Sequence, residues 1–319
     1  MNLFISNFRN IAKERIILFL LLFSVFIVVC RIFIPDSDEY RVIENNSFWK
    51  KKTFDRKKYE VVICGDSRVY RGISPNEMKS VFENLSILNF GYGSAGYNDV
   101  MFHEINKKVN WDAEIKIIIL GITPVSLTKN GALNHHLNYE LQTKREEIIE
   151  LLYFKKLMQF FVPTTFEQIF WRIKGKKYKV TKHQEYIDDG WVATFEEYPD
   201  TSSALKSYST YFINNQVVNE NVDNLVHEVK KWTSKNAFVF AFRPPTTYSM
   251  AELEDSVSGF KEEEIRRKLE FAGARWLIFN LKDYFCFDGS HLQKESAIRF
   301  SNDLAIKIRN ELQANKYIK

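Results

Sequence analysis

Five short apolar runs recur along the chain beyond residue 58, and each is rich in β-branched or aromatic side chains. They cover residues 61–64, 86–90, 115–120, 237–242 and 276–280. Apolar side chains follow one another in these runs without alternating with polar ones, which is typical of strands buried on both faces of a parallel sheet. The runs therefore predict five core strands.

Amphipathic helical segments separate the predicted strands. They are predicted over residues 75–83, 95–109, 222–234, 253–272 and 296–312. Regular alternation of strands and helices is the pattern of an α/β fold, in which helices cover both faces of a mostly parallel sheet. We therefore expect a doubly wound α/β domain.

The interval between the third and fourth predicted strands, residues 121–236, is too long for a simple connection. A structureless loop of that length is rare in a folded domain. The pattern predicts two helices and a hairpin within it, at residues 144–161, 165–173 and 177–194. Asp189 and Gly190 form the predicted turn of the hairpin. We expect an insertion, at about residues 128–222, that caps the carboxyl edge of the sheet.

The N-terminal segment differs from the rest of the chain in its hydropathy. Residues 16–34 are largely apolar, and this stretch of about 19 residues approaches the roughly 20 that a bilayer span requires. Arg9, Lys13 and Arg15 precede it, and positive flanks stay cytoplasmic. No small-residue cleavage site follows, which favours an uncleaved transmembrane signal anchor. The alternatives are a cleaved signal peptide and a buried core helix.

The anchor sets the expected domain organisation. Residues 1–15 form a cytoplasmic N-terminus, residues 35–58 a short polar linker, and residues 59–319 the folded domain. The positive flank on the N-terminal side places this domain outside the cytoplasm, in the periplasm or on the outer face.

Charge and cysteine content exclude several functional classes. The net charge of +5 is modest and no dense basic block is present, so no nucleic-acid partner is predicted. The histidines lack metal-ligand spacing with cysteines or carboxylates, so we expect neither a metal nor a cofactor. Cys64 and Cys286 are expected to be small buried residues, and a disulfide between them is the alternative.

A serine stands directly after the first predicted strand. Gly65, Asp66 and Ser67 follow the apolar run, at the end of a strand where α/β proteins build active sites. Unpaired N–H groups and a partial positive charge at the start of the next helix favour an oxyanion there. Taken alone, the three residues also fit a helix N-cap, since Asp and Ser both cap helices well.

A second polar cluster, near the C-terminus, shifts that balance. Asp288 and His291 follow the fifth predicted strand, on a loop that opens at the same sheet edge as Ser67. Ser, Asp and His can form a nucleophilic triad in which His291 takes the Ser67 proton and Asp288 orients the imidazole. The alternative is a helix cap with an incidental histidine.

These two motifs resemble those of the SGNH/GDSL hydrolase superfamily, over roughly residues 60–315. Residues 65–67 are similar to the first motif of the family, and Asp288-x-x-His291 is similar to its last. The resemblance implies a flavodoxin-like three-layer sandwich with five parallel strands in the order 2-1-3-4-5. It also implies an oxyanion hole built from the nucleophile amide, a glycine amide after the second strand and an Asn side chain after the third.

The middle motifs match the family unevenly. The glycine after the second strand is assigned to Gly93, with Gly91 and Gly96 as alternatives. Thr123 stands in the block where the family has its Asn, and its hydroxyl is the substitute donor. Loss of one oxyanion donor lowers the rate by about 100- to 1000-fold. The resemblance thus implies an oxyanion hole of Ser67, Gly93 and Thr123.

The N-terminal anchor and the insertion make the chain most similar to membrane-anchored branches of the superfamily, which include alginate O-acetylation proteins and the teichoic-acid D-alanylation protein. The resemblance implies a serine esterase or O-acyltransferase that acts on acyl esters of envelope polysaccharide. It also implies a multi-spanning membrane acyltransferase as partner. The alternative is a catalytically inactive scaffold of the same fold, which the missing Asn favours.

Two arginines are candidate substrate-binding residues. Arg71 lies one turn beyond Ser67 on the same predicted helix, and Arg243 ends the fourth predicted strand. A guanidinium group suits bidentate recognition of a carboxylate or phosphate on a polymer. The alternative for each is a structural ion pair or a solvated side chain.

Overall fold

The computed structural model describes residues 14–26, 38–154, 174 and 181–314. The chain divides into two compact units. The first comprises Met1–Ser47 and Arg145–Lys179, and the second comprises Phe48–Lys144 and Val180–Lys319. All the strands that the structure describes belong to the second unit.

The helices and strands follow one another along the described residues as α1 (Asp38–Phe54), β1 (Val61–Cys64), α2 (Ser67–Gly72), α3 (Pro75–Met78), β2 (Ile87–Asn89), α4 (Asp99–Lys108), β3 (Ile117–Gly121), α5 (His135–Leu141), α6 (Arg145–Tyr153), β4 (Lys182–Tyr186), β5 (Val192–Glu196), α7 (Leu205–Phe212), α8 (Asn219–Ser234), β6 (Phe238–Phe242), α9 (Tyr248–Val257), α10 (Glu262–Phe271), β7 (Arg275–Leu277) and α11 (Lys294–Ala314). Residues 14–26 are also helical. Short 3-10 helices lie at Val125–Leu127, Gly131–Leu133 and Leu281–Asp283.

The central sheet has five parallel strands in the order β2-β1-β3-β6-β7. Counted within this sheet alone, the order is 2-1-3-4-5, which confirms the α/β fold and the parallel sheet expected from the sequence. Val61 of β1 lies opposite Ile87 on one side and Ile117 on the other. The strand is buried throughout. The carboxyl ends of β1 and β3 therefore meet at one edge of the sheet.

Each face of the sheet has its own apolar core. On one face, Val62 packs in a cluster with Leu225 of α8 and Leu269 of α10. On the other, Ile63 packs in a cluster with Phe300 of α11. Neighbouring residues of a strand point to opposite faces, so a strand covered on both sides needs apolar residues at every position. The layers are therefore helix, sheet and helix.

The segment predicted as a polar linker, residues 35–58, is helical over most of its length. α1 spans Asp38–Phe54, and its residues Phe48 and Trp49 are buried in the second unit. The Trp49 ring packs edge-on against Tyr70, with 5.2 Å between ring centroids. The two aromatic residues dock the end of this charged helix because their burial outweighs its polar composition.

The helix predicted over residues 253–272 is interrupted. α9 ends at Val257 and α10 begins at Glu262. Gly259 between them has a φ of +73°, a left-handed conformation that glycine adopts without a steric penalty and that an α-helix cannot continue through. The amphipathic pattern runs on across this break because both helices bury apolar faces.

The hairpin predicted in the insertion is formed by β4 and β5, which pair antiparallel with Tyr186 opposite Val192. Gly190 in the turn has a φ of +94°. The carbonyl of Asp189 accepts a hydrogen bond from the amide of Asn89 at 2.9 Å. This turn of the insertion therefore lies against the carboxyl end of β2.

The predicted membrane span lies partly outside the described residues. Residues 16–26 belong to a helix whose large apolar side chains are exposed, and residues 27–34 are not described. Within the described parts of the chain, no helix combines the length and the apolar character needed to cross a bilayer. The helix predicted at residues 165–173 also lies outside the described residues.

Candidate active site

Ser67 is the first residue of α2, directly after a tight turn at the end of β1. Gly65 in this turn has a φ of +151°, and a Cβ there would lie 2.9 Å from the carbonyl oxygen of Gly121, so a side chain is excluded. Asp66 caps the helix by accepting a hydrogen bond from the amide of Arg68 at 2.9 Å. Because Asp66 is the cap, the hydroxyl of Ser67 is left for other contacts.

Ser67, His291 and Asp288 form one continuous line of hydrogen bonds. Nε2 of His291 lies 2.8 Å from Oγ of Ser67, and Nδ1 lies 2.7 Å from Oδ2 of Asp288. Oδ1 of Asp288 accepts the backbone N–H groups of Ser290 and His291 at 2.9 and 2.8 Å, which fixes the loop around the carboxylate. In this geometry an imidazole can take a proton from a hydroxyl while a carboxylate stabilises the resulting cation.

The surroundings of the two titratable groups favour an ionised Asp288 and a neutral His291. Burial opposes ionisation of Asp288, but hydrogen bonds from His291 and Ser290 outweigh it and lower the pKa of this carboxyl well below its usual range. Burial lowers the pKa of His291, and Arg71 and Arg68 act in the same direction against the opposing effect of Asp288. A neutral imidazole is the form that can act as a base.

Thr123, expected to donate to an oxyanion, is fully buried behind the helix cap. Its hydroxyl donates to Oδ2 of Asp66 at 2.6 Å and accepts from the amide of Ser126 at 3.1 Å. A hydroxyl can donate a single hydrogen bond, and the Thr123 hydroxyl donates its bond to the Asp66 carboxylate. The structure therefore corrects this assignment: Thr123 supports the turn that presents Ser67 and has no proton left for a ligand.

The amides of the three candidate glycines after β2 all have hydrogen-bond partners within the domain. The acceptors are Asn89 Oδ1 for Gly91 at 3.1 Å, His136 Nδ1 for Gly93 at 3.0 Å and Asn134 Oδ1 for Gly96 at 2.9 Å. Gly91 and Gly96 are buried, whereas Gly93 is half-buried. Burial lowers the pKa of His136 to about 4, and Lys52 and Lys50 add to this effect, so the imidazole accepts this bond in its neutral form.

The amide of Ser67 is in a different situation from the glycine amides. None of the described residues places an acceptor within hydrogen-bonding reach of it. It lies at the N-terminus of α2, where the first backbone N–H groups of a helix have no partner within the helix. This amide is therefore available to a negatively charged oxygen next to the Ser67 hydroxyl.

Arg243 does not offer a free guanidinium group at the sheet edge. Its Nη1 lies 2.9 Å from Asp255 and 3.0 Å from Glu262, and its Nη2 lies 3.1 Å from Glu254. Three carboxylates of the domain thus pair with this one guanidinium group. The structure thus corrects the substrate-binding assignment of Arg243, which belongs to an ion-pair network.

Arg71 is half-buried and remains open to a ligand. Its guanidinium carbon lies 5.4 Å from the centroid of the Tyr70 ring, and its Nε lies 3.3 Å from the Tyr70 hydroxyl. Among the described residues, no carboxylate lies within 4.0 Å of it. The effect of Arg71 on the pKa of His291 indicates that its charge acts on the candidate site.

Two polar partners of the site escaped the sequence analysis although they adjoin its motifs. Arg68 directly follows Ser67, Ser290 directly precedes His291, and Nε of Arg68 donates to Oγ of Ser290 at 2.9 Å. The sequence offered one signal for this contact, namely that both residues directly adjoin residues of the two motifs. Cys64 and Cys286 are buried free thiols, so they do not pair.

Comparisons with known proteins give little beyond this geometry. No family model matches the chain, and no curated protein matches it. The chain is similar to a solved structure from Streptococcus pneumonia described as that of a candidate platelet activating factor, with 10% identity and a TM-score of 0.38. The match covers 83% of this chain and 91% of that one. The fold is therefore established by the strand order and register of the chain itself.

Proposed function

We propose that the chain is a serine esterase or O-acyltransferase of the SGNH type, acting on acyl esters of cell-envelope polysaccharide. The observation that carries the proposal is the hydrogen-bonded line from Ser67 through His291 to Asp288, located where the strands β1 and β7 lead into their following helices. A free amide at Ser67 adds an oxyanion donor to a nucleophile and a base.

The reaction starts with proton transfer from Ser67 to His291. As Oγ of Ser67 attacks the acyl carbonyl carbon, Nε2 of His291 takes the hydroxyl proton and Asp288 stabilises the imidazolium. The carbonyl oxygen becomes an oxyanion next to the Ser67 amide. Collapse of this intermediate breaks the ester bond, and the departing alcohol oxygen takes the proton back from His291. The product is an acyl ester on Ser67.

A second attack releases the acyl group. Water or a sugar hydroxyl loses a proton to His291 and attacks the acyl carbonyl, and the proton returns to Oγ of Ser67 as the ester bond to it breaks. Water gives hydrolysis and a sugar hydroxyl gives acyl transfer. Gly93 is the proposed second oxyanion donor. Its amide must first break its hydrogen bond to Nδ1 of His136 and then donate to the oxyanion.

The proposed setting rests on two further features. Residues 16–34 anchor the domain outside the cytoplasm, next to a multi-spanning membrane acyltransferase and its acylated polymer. Arg71 binds a carboxylate or phosphate of that polymer, since its guanidinium is half-buried and has no carboxylate partner among the described residues.

A catalytically inactive scaffold is the second candidate function. The expected oxyanion donors favour it. The Thr123 hydroxyl already donates its hydrogen bond to Asp66, and the Gly93 amide already donates to His136. A binding protein of this fold would hold polysaccharide or the acyltransferase without turning over an ester.

Covalent labelling with a fluorophosphonate separates the two functions. We expect the full chain to be labelled at Ser67, because a neutral His291 within 2.8 Å activates its hydroxyl. Ser67→Ala should abolish labelling, whereas Ser80→Ala, which removes an exposed serine hydroxyl, should leave it unchanged. Labelling that persists in Ser67→Ala, or is absent from the wild-type protein, contradicts the enzymatic proposal and favours the scaffold.

A further inference from the structure

Arg68 has an unusual environment for a charged residue next to a nucleophile, because its side chain is almost completely buried at 3% exposure. Its Nη1 donates to Oε2 of Glu254 at 3.2 Å, and its Nη2 donates to Oε1 of the same carboxylate. Its remaining donor, Nε, points to Oγ of Ser290 at 2.9 Å. All three guanidinium nitrogens of Arg68 thus have partners. The two bonds to Glu254 already balance its charge, so the bond from Nε to Ser290 is an additional contact.

Ser290 carries the other end of this contact into the candidate site. Its hydroxyl donates to the Tyr208 hydroxyl at 2.7 Å, and its amide donates to Asp288. The Tyr208 ring lies under the guanidinium, with 5.2 Å from the ring centroid to the Arg68 guanidinium carbon. Ser290 is fully buried, so these partners fix its position. The residue before His291 is therefore bonded directly to the residue after Ser67.

Glu254 holds this arrangement to the rest of the domain. It lies on α9, is fully buried, and binds Arg243 as well as Arg68. Arg243 has Asp255 and Glu262 as additional partners, and its hydrogen bonds within the described residues go to Glu262, Ala251 and Glu254. The two arginines thus share one buried carboxylate, and only Arg68 extends from it to the loop that carries His291.

We infer that Arg68 is a positioning residue of the candidate site, which holds His291 within reach of Ser67 by binding Ser290 from the rigid base of Glu254. The nucleophile and the imidazole are 224 positions apart in the chain, and each is a direct neighbour of one end of the Arg68–Ser290 hydrogen bond. A small displacement of a catalytic group lowers the rate strongly. The catalytic part of this inference rests on the proposed function.

Arg68 also contributes to the field at the imidazole. The charged groups around His291 are Asp288 on its own loop, Asp66, Arg68 and Arg71 at the ends of α2, and Lys182 of β4, which lies over the Phe287 ring that stacks on the imidazole. Among them, Arg68 lowers the pKa of His291. Replacing it with a neutral residue should therefore raise that pKa, whereas lysine at this position keeps the charge.

Four variants of the full chain test the inference: Arg68→Lys, Ser290→Ala, their combination, and Arg243→Lys as the matched control that shares Glu254. The readouts are kcat and KM with p-nitrophenyl acetate and the rate of fluorophosphonate labelling. We expect Arg68→Lys and Ser290→Ala each to lower kcat by about 10- to 100-fold with little change in KM. The double variant should lose little more than either single one, because both changes break the same link.

The control and a measurement without substrate make the inference falsifiable. Arg243→Lys should stay within about threefold of wild type, since it keeps a positive charge beside Glu254 and leaves the Arg68–Ser290 hydrogen bond in place. Arg68→Met should raise the pKa of His291 in an NMR titration of its imidazole, while Arg243→Met should shift it less. Fully additive losses in the double variant, or an equal loss in Arg243→Lys, overturns the inference.

These readouts also separate the inference from the proposed function. A wild-type protein that neither reacts with the fluorophosphonate nor hydrolyses the ester contradicts the proposed function. An imidazole spectrum still applies to that protein: Ser290→Ala, which changes no charge, should shift the His291 imidazole resonances because the ring loses its support, and unchanged resonances refute the positioning contact.

Discussion

The two sides of the candidate site differ in how much of their hydrogen-bonding capacity is already used. On the nucleophile side, Ser67, His291 and Asp288 bond to one another, and the Ser67 amide has no acceptor among the described residues. On the glycine side, the amides of Gly91, Gly93 and Gly96 all have partners. The Ser67–His291–Asp288 line is therefore complete as it stands, whereas the amides on the glycine side need an exchange of partners to meet a ligand.

Helix α1 explains why the loop that carries the three glycines is held so closely by its surroundings. Trp49 packs against the rings of Tyr92 and His136, with centroids 5.4 and 4.3 Å away. The Tyr92 hydroxyl bonds to Thr53 at 2.9 Å. Lys52 lies among four aromatic rings and donates to the carbonyl of Gly190 at 3.0 Å. The segment that begins the second unit thus holds the glycine loop in place, and His136 is its half-buried outer member.

The largest effect should come from removing the base on the nucleophile side. We expect His291→Ala to lower kcat with p-nitrophenyl acetate by about 10⁴-fold or more, because Ser67 then has no proton acceptor. His103→Ala removes an exposed imidazole from α4 and should leave kcat unchanged. A loss below about tenfold in His291→Ala would show that the hydrogen-bonded line does not perform the reaction.

The orienting carboxylate should have the next largest effect. Asp288→Asn should also lower kcat, but the loss should be about 10- to 100-fold smaller than the loss in His291→Ala. The imidazole remains in this variant and loses only its orientation. Asp288 is a cause that raises the pKa of His291, so its loss should lower that pKa further. Activity requires the neutral imidazole, so the acid limb of the kcat profile should move to lower pH. A move to higher pH would contradict this assignment of charges.

The smallest effect should come from the glycine side. His136→Ala should raise kcat/KM by up to about fivefold, because release of the Gly93 amide no longer requires breaking a hydrogen bond with a net value of about 1 kcal/mol. His135→Ala, at an exposed neighbour, is the control. The midpoint of thermal unfolding should be measured with the kinetics, since the Trp49 contact is lost.

Two other results for His136→Ala would change the comparison. A loss of about 100-fold would indicate that His136 takes part in the reaction, as removal of an oxyanion donor does. An unchanged rate would show that the oxyanion does not use Gly93, and the nucleophile side would then act with the Ser67 amide alone.

The sheet was well predicted because its strands are local features. A strand buried on both faces needs apolar residues throughout, and the run at residues 61–64 coincides with β1. Two elements were misjudged. The break at Gly259 lay inside a continuous amphipathic pattern, and α1 lay in a segment whose lysines concealed its buried aromatic residues. The break follows from the left-handed backbone of Gly259, whereas α1 forms because its aromatic residues pack against residues distant in the chain.

The candidate site was predicted in its chemistry and only partly in its contacts. The motifs named Ser67, Asp288 and His291, which the structure brings together. The same reasoning treated Arg71 and Arg243 alike, although the second is held by three carboxylates. Local sequence does not distinguish a paired guanidinium from an open one. The transmembrane anchor, the envelope substrate and the acyltransferase partner stay predictions.

The sequence by itself determined the α/β class, the succession of the five core strands, and the positions of the serine, the aspartate and the histidine. These follow from hydrophobic periodicity and turn chemistry, which act over a few neighbouring residues. The tertiary structure alone decided which polar groups already have partners. Asp66 accepts a hydrogen bond from Thr123, His136 accepts one from the Gly93 amide, and Ser290 accepts one from Arg68. The partners in each of these pairs come from segments far apart in the chain, and only folding brings them within hydrogen-bonding distance.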